Sequence, residues 1–241
     1  MSAQKVPAVI ERPLPNGVTY DMSTAGQVRI TLPASSTWSS GLHWHETHDE
    51  YLKVIKGTIR VRLGDSNHVI KATDEAQPEI KVDRYLWHEW QRAAPDGAEV
   101  VVIERTEPSD NEKALFFWNL NGVILNAPKL LEDSSSLVSR LPSSLQGLFL
   151  DLWIPLNLFV IFRHLDNVPV FLNAPELFRT SDNRLRGLLQ ALDRVVSHFV
   201  LLLASWVGSL LGVQPVQSRY TPADAYAVWQ YKRLAVEKKQ A

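Results

Sequence analysis

The pattern of apolar residues changes its period at about residue 110, and this change limits the folds that the chain can adopt. Before it, apolar and polar residues alternate in short runs, as in Gln27–Leu32 and residues 57–64, and further short runs cover Glu79–Val82 and residues 100–103. Successive side chains of a strand point to opposite faces, so this alternation predicts strands with one buried face. Many short strands with closely spaced turns are typical of a sandwich or a barrel.

The rest of the chain is more apolar and has a longer period. Apolar or helical-period stretches cover residues 115–120, 141–162, 175–213 and 222–239, with Pro, Asn and Ser between them. The sequence therefore predicts a mainly β fold. A barrel domain is expected over residues 1–110, with an appended, apolar α-helical region over residues 111–241.

Histidine is concentrated inside the predicted barrel, where five of the seven histidines lie between residues 43 and 88. His43 and His45 are two residues apart and would share one face of a strand. Glu50 follows a short polar turn that would bring its carboxylate back beside them, and His88 would join from another strand. Three imidazoles and one carboxylate suit iron, manganese, zinc, nickel or copper better than calcium or magnesium, so these four residues are the predicted metal ligands.

Aromatic and acidic residues near these positions are candidates for the rest of a site. The candidate walls of a substrate pocket are Trp44, Tyr51, Trp87 and Trp90. A dry aromatic wall is typical of a ligand pocket, but ordinary core packing is the alternative for the tryptophans. Glu46 and Glu89 are candidate acid–base groups, with exposed carboxylates as the alternative. His48 and His68 lie in polar turns and are expected to be exposed.

The spacing of the first three predicted ligands and Gly57 resembles the first motif of the cupin superfamily: His-x-His, four residues, Glu, six residues, Gly. His88, with a tryptophan on either side, resembles the histidine of the second motif. The resemblance covers about residues 25–107. It implies a jelly-roll barrel that holds the metal inside, with one or two coordination positions open to water, dioxygen or substrate.

The two motifs also depart from the family pattern. Thr37 stands where the first motif usually opens with glycine, and Asp83, Tyr85 and Arg92 stand where the second motif often has Pro, Gly and Asn. These departures affect the turn before the fourth ligand and leave all four ligands in place.

The overall layout is similar to the cupin-domain oxidoreductases of fungal secondary-metabolite pathways that make salicylaldehyde-type polyketides. That resemblance implies a metal-dependent oxidoreductase, with Fe(II) favoured and Mn, Zn, Ni or Cu as alternatives, acting on a small polyketide-derived molecule. Two other interpretations stay open. One is a metal-dependent dehydratase or isomerase, and the other is a non-catalytic ligand-binding or membrane-associated accessory protein.

Charge, cysteine content and the apolar stretches limit the partners. The net charge of −1 gives no basic field for nucleic acid, and the absence of cysteine excludes disulfides and thiolate chemistry. The first twelve residues lack the apolar run of a signal peptide, so we expect a cytoplasmic rather than a secreted protein. Residues 195–213 carry no formal charge and are marginally long enough to span a bilayer. Within residues 141–213 we therefore weigh a membrane span, an interfacial anchor, and a buried or homodimer-forming helix.

Overall fold

The first half of the chain is built from two antiparallel sheets. A computed structural model describes residues 6–94, 97–132 and 138–240, with side chains through residue 235. In spatial order, the larger sheet holds β1 (Val9–Arg12), β2 (Val18–Asp21), β3 (Gln27–Leu32), β10 (Val100–Glu107), β5 (Asp49–Lys56) and β8 (Glu79–Val82). The smaller sheet holds β11 (Val168–Pro169), β4 (His43–Trp44), β9 (His88–Arg92), β6 (Thr58–Leu63) and β7 (Ser66–Lys71).

The strand β5 illustrates how the sequence directs side chains into the barrel. Glu50, Leu52 and Val54 are buried, whereas Tyr51 and Lys53 between them are partly exposed. This is the period of two that the alternating sequence predicts. The prediction of a mainly β, jelly-roll-like barrel followed by apolar helices is confirmed by the order of the strands and by the helices after them.

Helices make up most of the described chain beyond the barrel. They are α1 (Glu112–Asn126), α2 (Lys129–Glu132), α3 (Ser143–His164), α4 (Ala174–Leu177), α5 (Asn183–Leu210) and α6 (Ala223–Gln240). A short 3-10 turn, Val138–Arg140, precedes α3. The helical periods predicted from the sequence are therefore present, although the predicted stretch 175–213 divides into α4 and α5.

Gly57 makes the tight connection between β5 and β6. Its φ angle is +83°, and a Cβ atom placed there would lie 2.8 Å from the carbonyl oxygen of Glu99 and 2.9 Å from a methyl group of Val100. Both the backbone conformation and the close approach therefore require glycine. The connection leads from β5, which carries Glu50, directly into β6 of the other sheet.

Segments after residue 110 pack directly on the barrel. β11 extends the smaller sheet, where Val168 lies opposite Trp44 and Pro169 lies opposite His43. The buried face of α1 packs against the larger sheet, with the ring of Phe117 centred 4.5 Å from that of Tyr20. The surroundings of the barrel interior therefore include residues from the helical half.

The helix α5 turns its apolar face away from the rest of the protein. Its buried residues are Asp193, Ser197, Leu201, Ala204 and Gly208. Its exposed large apolar residues include Leu188, Leu192, Val195, Phe199, Leu202 and Trp206. By length and composition alone, α3 and α5 could each cross a membrane, and only 17% and 22% of their apolar windows are buried.

Candidate metal centre

The structure brings the four predicted ligands together inside the barrel. His43, His45, Glu50 and His88 are all buried, and one ligand atom of each lies within 4.8 Å of those of the other three. The pairing of β4 with β9 places His43 directly opposite His88, and Glu50 enters from the start of β5 in the other sheet. The site therefore lies between the two sheets.

Backbone carbonyls set the orientation of two of the imidazoles. Nδ1 of His43 donates to the carbonyl oxygen of Gly41 at 2.8 Å, and Nδ1 of His88 donates to that of Leu86 at 2.9 Å. Because a carbonyl oxygen only accepts, the proton of each neutral ring is on Nδ1. The lone pair of each Nε2 is then available to a metal.

The third imidazole is held by the helical half of the chain. Nδ1 of His45 donates to the backbone carbonyl of Asp166, which follows α3. The Nε2 atoms of His45 and His88 are buried and lie 3.6 Å and 3.0 Å from the carboxylate oxygens of Glu50, but a neutral ring with its proton on Nδ1 has none on Nε2 to donate to them. Buried polar atoms normally find a partner, so this pair of unsatisfied nitrogens fits a metal ion.

The electrostatics of the group keep its donors in metal-binding form. Burial, and then the neighbouring His88 and His45, holds the pKa of His43 well below its usual range, so its ring is neutral. Burial would raise the pKa of Glu50, but the Lys113 ammonium and the two adjacent histidines bring it well below its usual range. A neutral imidazole and an ionised carboxylate are the protonation states that ligate metals.

Lys113 is an unpredicted member of the site. Its buried ammonium, at the start of α1, contacts Glu50 and lies 3.0 Å from the carboxylate of Glu104. Burial opposes the charge, but the two carboxylates raise the pKa of Lys113 and keep it cationic. The other oxygen of Glu104 accepts from the Trp90 indole at 2.7 Å, although burial still raises the pKa of this carboxyl.

His48 is buried, and the expectation that it is exposed is wrong. Its Nδ1 lies 2.7 Å from Asp166 and its Nε2 lies 3.1 Å from Asp110, and these two hydrogen bonds raise its pKa to about 9. The Asp166 carboxylate also accepts from the backbone N–H groups of Glu46 and Thr47. The polar turn is therefore covered by acidic residues from later in the chain. His48 also lies near Glu112 in a second group of potential ligands, but both of its nitrogens are already engaged.

A cavity of about 170 Å³ adjoins the metal group. His43, Lys113 and Glu104 line it on the side of the predicted ligands, and Arg12 and Tyr20 also line it. The other lining residues include Trp38, Phe116, Phe117 and Phe162. The combination of aromatic walls and a few polar groups is typical of a small-molecule site.

The structure places the predicted aromatic walls at different sites. Trp44 and Trp87 stack with ring centroids 6.1 Å apart, in a separate apolar cluster with Val168 and Leu201. The ring of Tyr51 packs under the guanidinium of Arg105 on the partly exposed face of β5. These three do not line the cavity of the metal group.

Trp90 and the two candidate acid–base groups also have defined positions. Trp90 points inward, and its ring centroid lies 4.8 Å from that of Trp38, which lines the cavity. Glu46 accepts from the indole of Trp44 and pairs with His198 at 2.9 Å, so it is engaged outside the metal group. Glu89 is partly exposed and lies between two inward-pointing residues of β9.

Two of the departures from the family pattern have structural explanations. Tyr85 adopts φ +63° where the family often has glycine, and its backbone N–H donates to the carbonyl oxygen of His45 at 2.7 Å. Arg92 stands where Asn is common and is buried, with its guanidinium bonded to backbone carbonyls that include those of Leu32 and Ala98. Tyr85 therefore connects its turn to a predicted ligand, and Arg92 connects the end of β3 to the segment before β10.

Comparison with known proteins finds similarity only among solved structures, since no family model and no curated protein matches the chain. The capsular polysaccharide assembling protein CapF from Staphylococcus aureus is 14% identical, with 41% of this chain and 30% of that chain covered and a TM-score of 0.32. A predicted oxalate decarboxylase from Thermotoga maritima is 19% identical, with 44% and 95% covered and a TM-score of 0.32. The cupin domain of Schizosaccharomyces pombe Cnp3 is 11% identical, with 44% and 67% covered and a TM-score of 0.28.

Each of these matches covers less than half of this chain. The chain in turn spans about 30% of the length of the CapF structures. Among these three neighbours, one is named as a cupin domain and one as a predicted oxalate decarboxylase.

Proposed function

We propose that this protein is a metal-dependent enzyme acting on a small organic molecule, with His43, His45, Glu50 and His88 as the metal ligands. The observation that carries the proposal is that the buried Nε2 atoms of His45 and His88 face the Glu50 carboxylate, at 3.6 Å and 3.0 Å, within one group of four potential ligands. The adjoining cavity gives a substrate access to the same group. Without a metal ion, the lone pairs of these buried nitrogens in neutral rings would face the carboxylate oxygens with no hydrogen between them, which is unfavourable.

We favour Fe(II) as the metal, because the resemblance to cupin-domain oxidoreductases favours it. Mn, Zn, Ni and Cu are alternatives, since a three-nitrogen, one-oxygen set suits all of them. When bound, the metal would supply either a redox centre or a Lewis acid for a carbonyl oxygen. We propose oxidation as the reaction, and metal-assisted dehydration or isomerisation as the second candidate. The protein's own contribution is to fix the imidazoles through backbone carbonyls, to keep Glu50 ionised, and to exclude water with aromatic walls.

Metal analysis tests the ligand assignment. We expect wild-type protein purified without oxygen to carry close to one metal ion per chain and His45→Ala to lose most of it. His68→Ala is the matched control, because His68 is exposed on β7 and outside the ligand group. Equal metal content in wild type and His45→Ala would contradict the assignment of His45 as a metal ligand.

We propose further that the substrate is a polyketide-derived intermediate of secondary metabolism. The resemblance of the layout to cupin-domain oxidoreductases of salicylaldehyde-type pathways supports this, and so does the aromatic lining of the cavity, which includes Trp38 and Phe117. Deletion of the gene should cause an upstream aromatic intermediate to accumulate. An unchanged metabolite profile would count against the proposed pathway and leave the metal site untouched.

A non-catalytic binding protein is the alternative from another class, and turnover separates it from an enzyme. Such a protein would retain metal and bind small molecules in the cavity without consuming them. Incubation of the metal-loaded protein with an extract of the deletion strain, followed by mass spectrometry, should show loss of one compound and gain of another. The His45→Ala protein provides the inactive control.

We propose that the apolar face of α5 attaches the protein to the surface of a membrane. This face, defined by Leu188, Leu192, Val195, Phe199, Leu202 and Trp206, is exposed along the helix. Apart from Leu201, the side of α5 that packs on the protein consists of polar and small residues, which is the reverse of an ordinary surface helix. Such an arrangement suits an apolar environment outside the molecule.

The charges beside this face favour a lipid surface over a second copy of the chain. Arg179, Arg184 and Arg194 are exposed at or near the first half of α5, where Asp182 is engaged as the helix N-cap. Exposed arginines next to an apolar face are attracted to anionic lipid headgroups, whereas two such faces brought together would repel each other. We therefore expect tighter binding to anionic vesicles.

Vesicle sedimentation tests the membrane proposal. Wild type should sediment with phosphatidylcholine vesicles that contain phosphatidylserine, and the triple variant Leu192→Gln, Phe199→Gln, Trp206→Gln should stay in the supernatant. The matched control alters three exposed apolar residues of α6, as Val228→Gln, Tyr231→Gln and Leu234→Gln, and should sediment like wild type. Wild type that forms a dimer and ignores vesicles would instead identify the face as a dimer interface.

A further inference from the structure

The end of the cavity formed by the larger sheet carries a cluster that the metal site does not use. Arg12 on β1, Tyr20 on β2 and Trp38 all line this cavity. The Tyr20 hydroxyl oxygen accepts from the Arg12 guanidinium at 3.1 Å and from the Trp38 indole at 2.8 Å. The two hydrogen bonds hold the three side chains as one unit.

The cluster has hydrogen-bond donors to spare and lacks matching acceptors. With two donors already directed at its oxygen, the Tyr20 hydroxyl has its own proton left to donate, and no acceptor for it is found among the described residues. Nε of Arg12 is buried and has no partner within the same residues. Burial also raises the pKa of Tyr20 to about 12, so the phenol keeps its proton.

The charge of the cavity wall also favours a ligand group that accepts hydrogen bonds. Glu104 is the carboxylate that lines the cavity together with Arg12, and it is already paired with Lys113 and bonded to Trp90. The guanidinium of Arg12 is therefore left without a carboxylate partner in the part of the chain that the structure describes. A ligand that supplies an anionic, acceptor-only group would satisfy both the charge and the spare donors.

We infer that Arg12 and Tyr20 form a subsite for the carboxylate of a small aromatic or otherwise unsaturated acid. The inference deepens the proposed function, because His43 lines the same cavity and would face the body of that acid. Trp38 and Phe117 supply flat apolar walls against which an unsaturated body packs. The cavity of about 170 Å³ is well below the roughly 300–1,000 Å³ of drug-sized ligand sites, so a single ring or a short chain is the size that fits.

The subsite and the metal group are separate, so carboxylate binding should survive removal of the metal. Benzoate is a suitable probe, and benzamide is its neutral counterpart of the same shape. Titration calorimetry on protein stripped with EDTA should give a benzoate Kd at or below about 1 mM and weaker binding of benzamide. Arg12→Met should weaken benzoate binding about tenfold to a hundredfold, the usual effect of losing a charged hydrogen bond, and leave benzamide unchanged.

Two variants guard against misreading a folding defect. Arg29→Met removes an exposed arginine from β3 of the same sheet and should bind benzoate like wild type. Arg12→Lys keeps the positive charge and should recover part of the lost affinity. Thermal unfolding of each variant, compared with wild type, identifies any loss of binding that comes from unfolding.

The outcomes separate this inference from the proposed metal site. Benzoate binding that disappears with the metal and is insensitive to Arg12→Met would place the carboxylate on the metal and overturn the subsite. Failure of wild type to bind benzoate at about 1 mM would also overturn it. Benzoate binding by metal-free His45→Ala at wild-type affinity is the expected result, and it would stand even if the metal assignment failed.

Discussion

The barrel and the helix α5 depart from the usual pattern of burial in opposite ways, because the barrel encloses charged side chains and the helix exposes large apolar ones. The barrel interior encloses the charged groups of Glu50, Glu104 and Lys113 and compensates each with a partner. The helix α5 packs small and polar residues inward together with Leu201, whereas its Phe199 and Trp206 are each 63% exposed. Burial of a charge is unfavourable unless it is paired and hydrogen-bonded, and exposure of a broad apolar face is unfavourable unless something covers it. The two regions therefore call for different tests, of ion pairing in the barrel and of apolar exposure on the helix.

Removal of the buried cation is the strongest test of how the barrel tolerates its charges. Lys113→Met would leave the carboxylates of Glu50 and Glu104 buried without their ammonium partner. We expect a loss of about 3–5 kcal/mol in the free energy of unfolding, the usual effect of breaking a buried ion pair from one side. Urea unfolding of wild type and Lys113→Met measures this loss, with EDTA present to keep both proteins free of metal.

The double variant Lys113→Met, Glu104→Gln is the matched control for this loss. It removes one of the two uncompensated charges, and Gln can still accept from the indole of Trp90. We expect it to be more stable than the single variant. Addition of zinc should reduce the difference in the free energy of unfolding between wild type and Lys113→Met, because the metal would provide a new positive partner for Glu50. A loss below about 1 kcal/mol would mean that the carboxylates are protonated in the folded protein.

The contact between the two halves is tested at Asp166, which bonds the turn that carries His45 and His48. Asp166→Ala removes the acceptor for His48 and for two backbone N–H groups. We expect a loss of about 2–3 kcal/mol in stability, since buried donors are left unsatisfied. Because the backbone of Asp166 also orients His45, metal affinity should fall about 10- to 100-fold.

Calorimetry and metal titration measure the two effects of Asp166→Ala, and Asp151→Ala on the exposed face of α3 is the control. Asp166→Asn keeps one acceptor oxygen and tolerates the positive φ of this position, so it should fall between wild type and Asp166→Ala. Metal affinity unchanged in Asp166→Ala would show that the orientation of His45 does not depend on the helical half.

The parts of this molecule that sequence reasoning predicts are those with local periodicity or fixed spacing. The strands Gln27–Leu32 and Glu79–Val82 follow directly from alternation, and the positive φ of Gly57 follows from its place in a hairpin. The four predicted ligands, which the structure brings together, follow from two histidines on one strand face and from spacings that resemble those of one superfamily. Such features can be predicted from the sequence without knowing which strands pair with each other.

The partners of the ligands depend on tertiary contacts, which the sequence does not display. Lys113 and Asp166 come from segments 63 and 121 residues away from the ligands that they contact. The sequence does contain weak indications of two residues, Glu104 and Lys113, that are not among the predicted site residues. Glu104 continues the inward face that Val100 and Val102 begin on β10, and Lys113 occupies the first turn of a helix, where the helix dipole disfavours a cation. The Arg12–Tyr20 cluster needs the pairing of β1 with β2, which is again a matter of register.

The ion pairs of His48 provide a pH-dependent test of the same contact. Hydrogen bonds to Asp110 and then Asp166 raise the folded-state pKa of His48 to about 9, from about 6.5 in an unfolded chain. A raised histidine pKa stabilises the fold fully below the unfolded value, and this stabilisation is lost as the pH rises through about 9. In EDTA, the difference in Tm between wild type and His48→Gln should therefore be largest near pH 6 and smallest near pH 10. His68→Gln, at an exposed position, should show no such trend; a constant difference for His48→Gln would contradict the raised pKa.

The smallest effect on stability is expected on the outer face of α5, where the comparison with the barrel is most direct. Phe199→Gln and Trp206→Gln alter large apolar residues that the protein itself leaves mostly exposed, so each should change the free energy of unfolding in water by less than about 0.5 kcal/mol. Ser197→Leu, on the buried side of the same helix, should be destabilising, because a larger side chain does not fit where the helix packs closely. Urea unfolding of the three variants without detergent measures this contrast. A large loss of stability from Phe199→Gln or Trp206→Gln would mean that another copy of the chain already covers the face in solution. The apolar side chains of α5 would then be buried in the assembly, as those of the barrel are buried in the single chain.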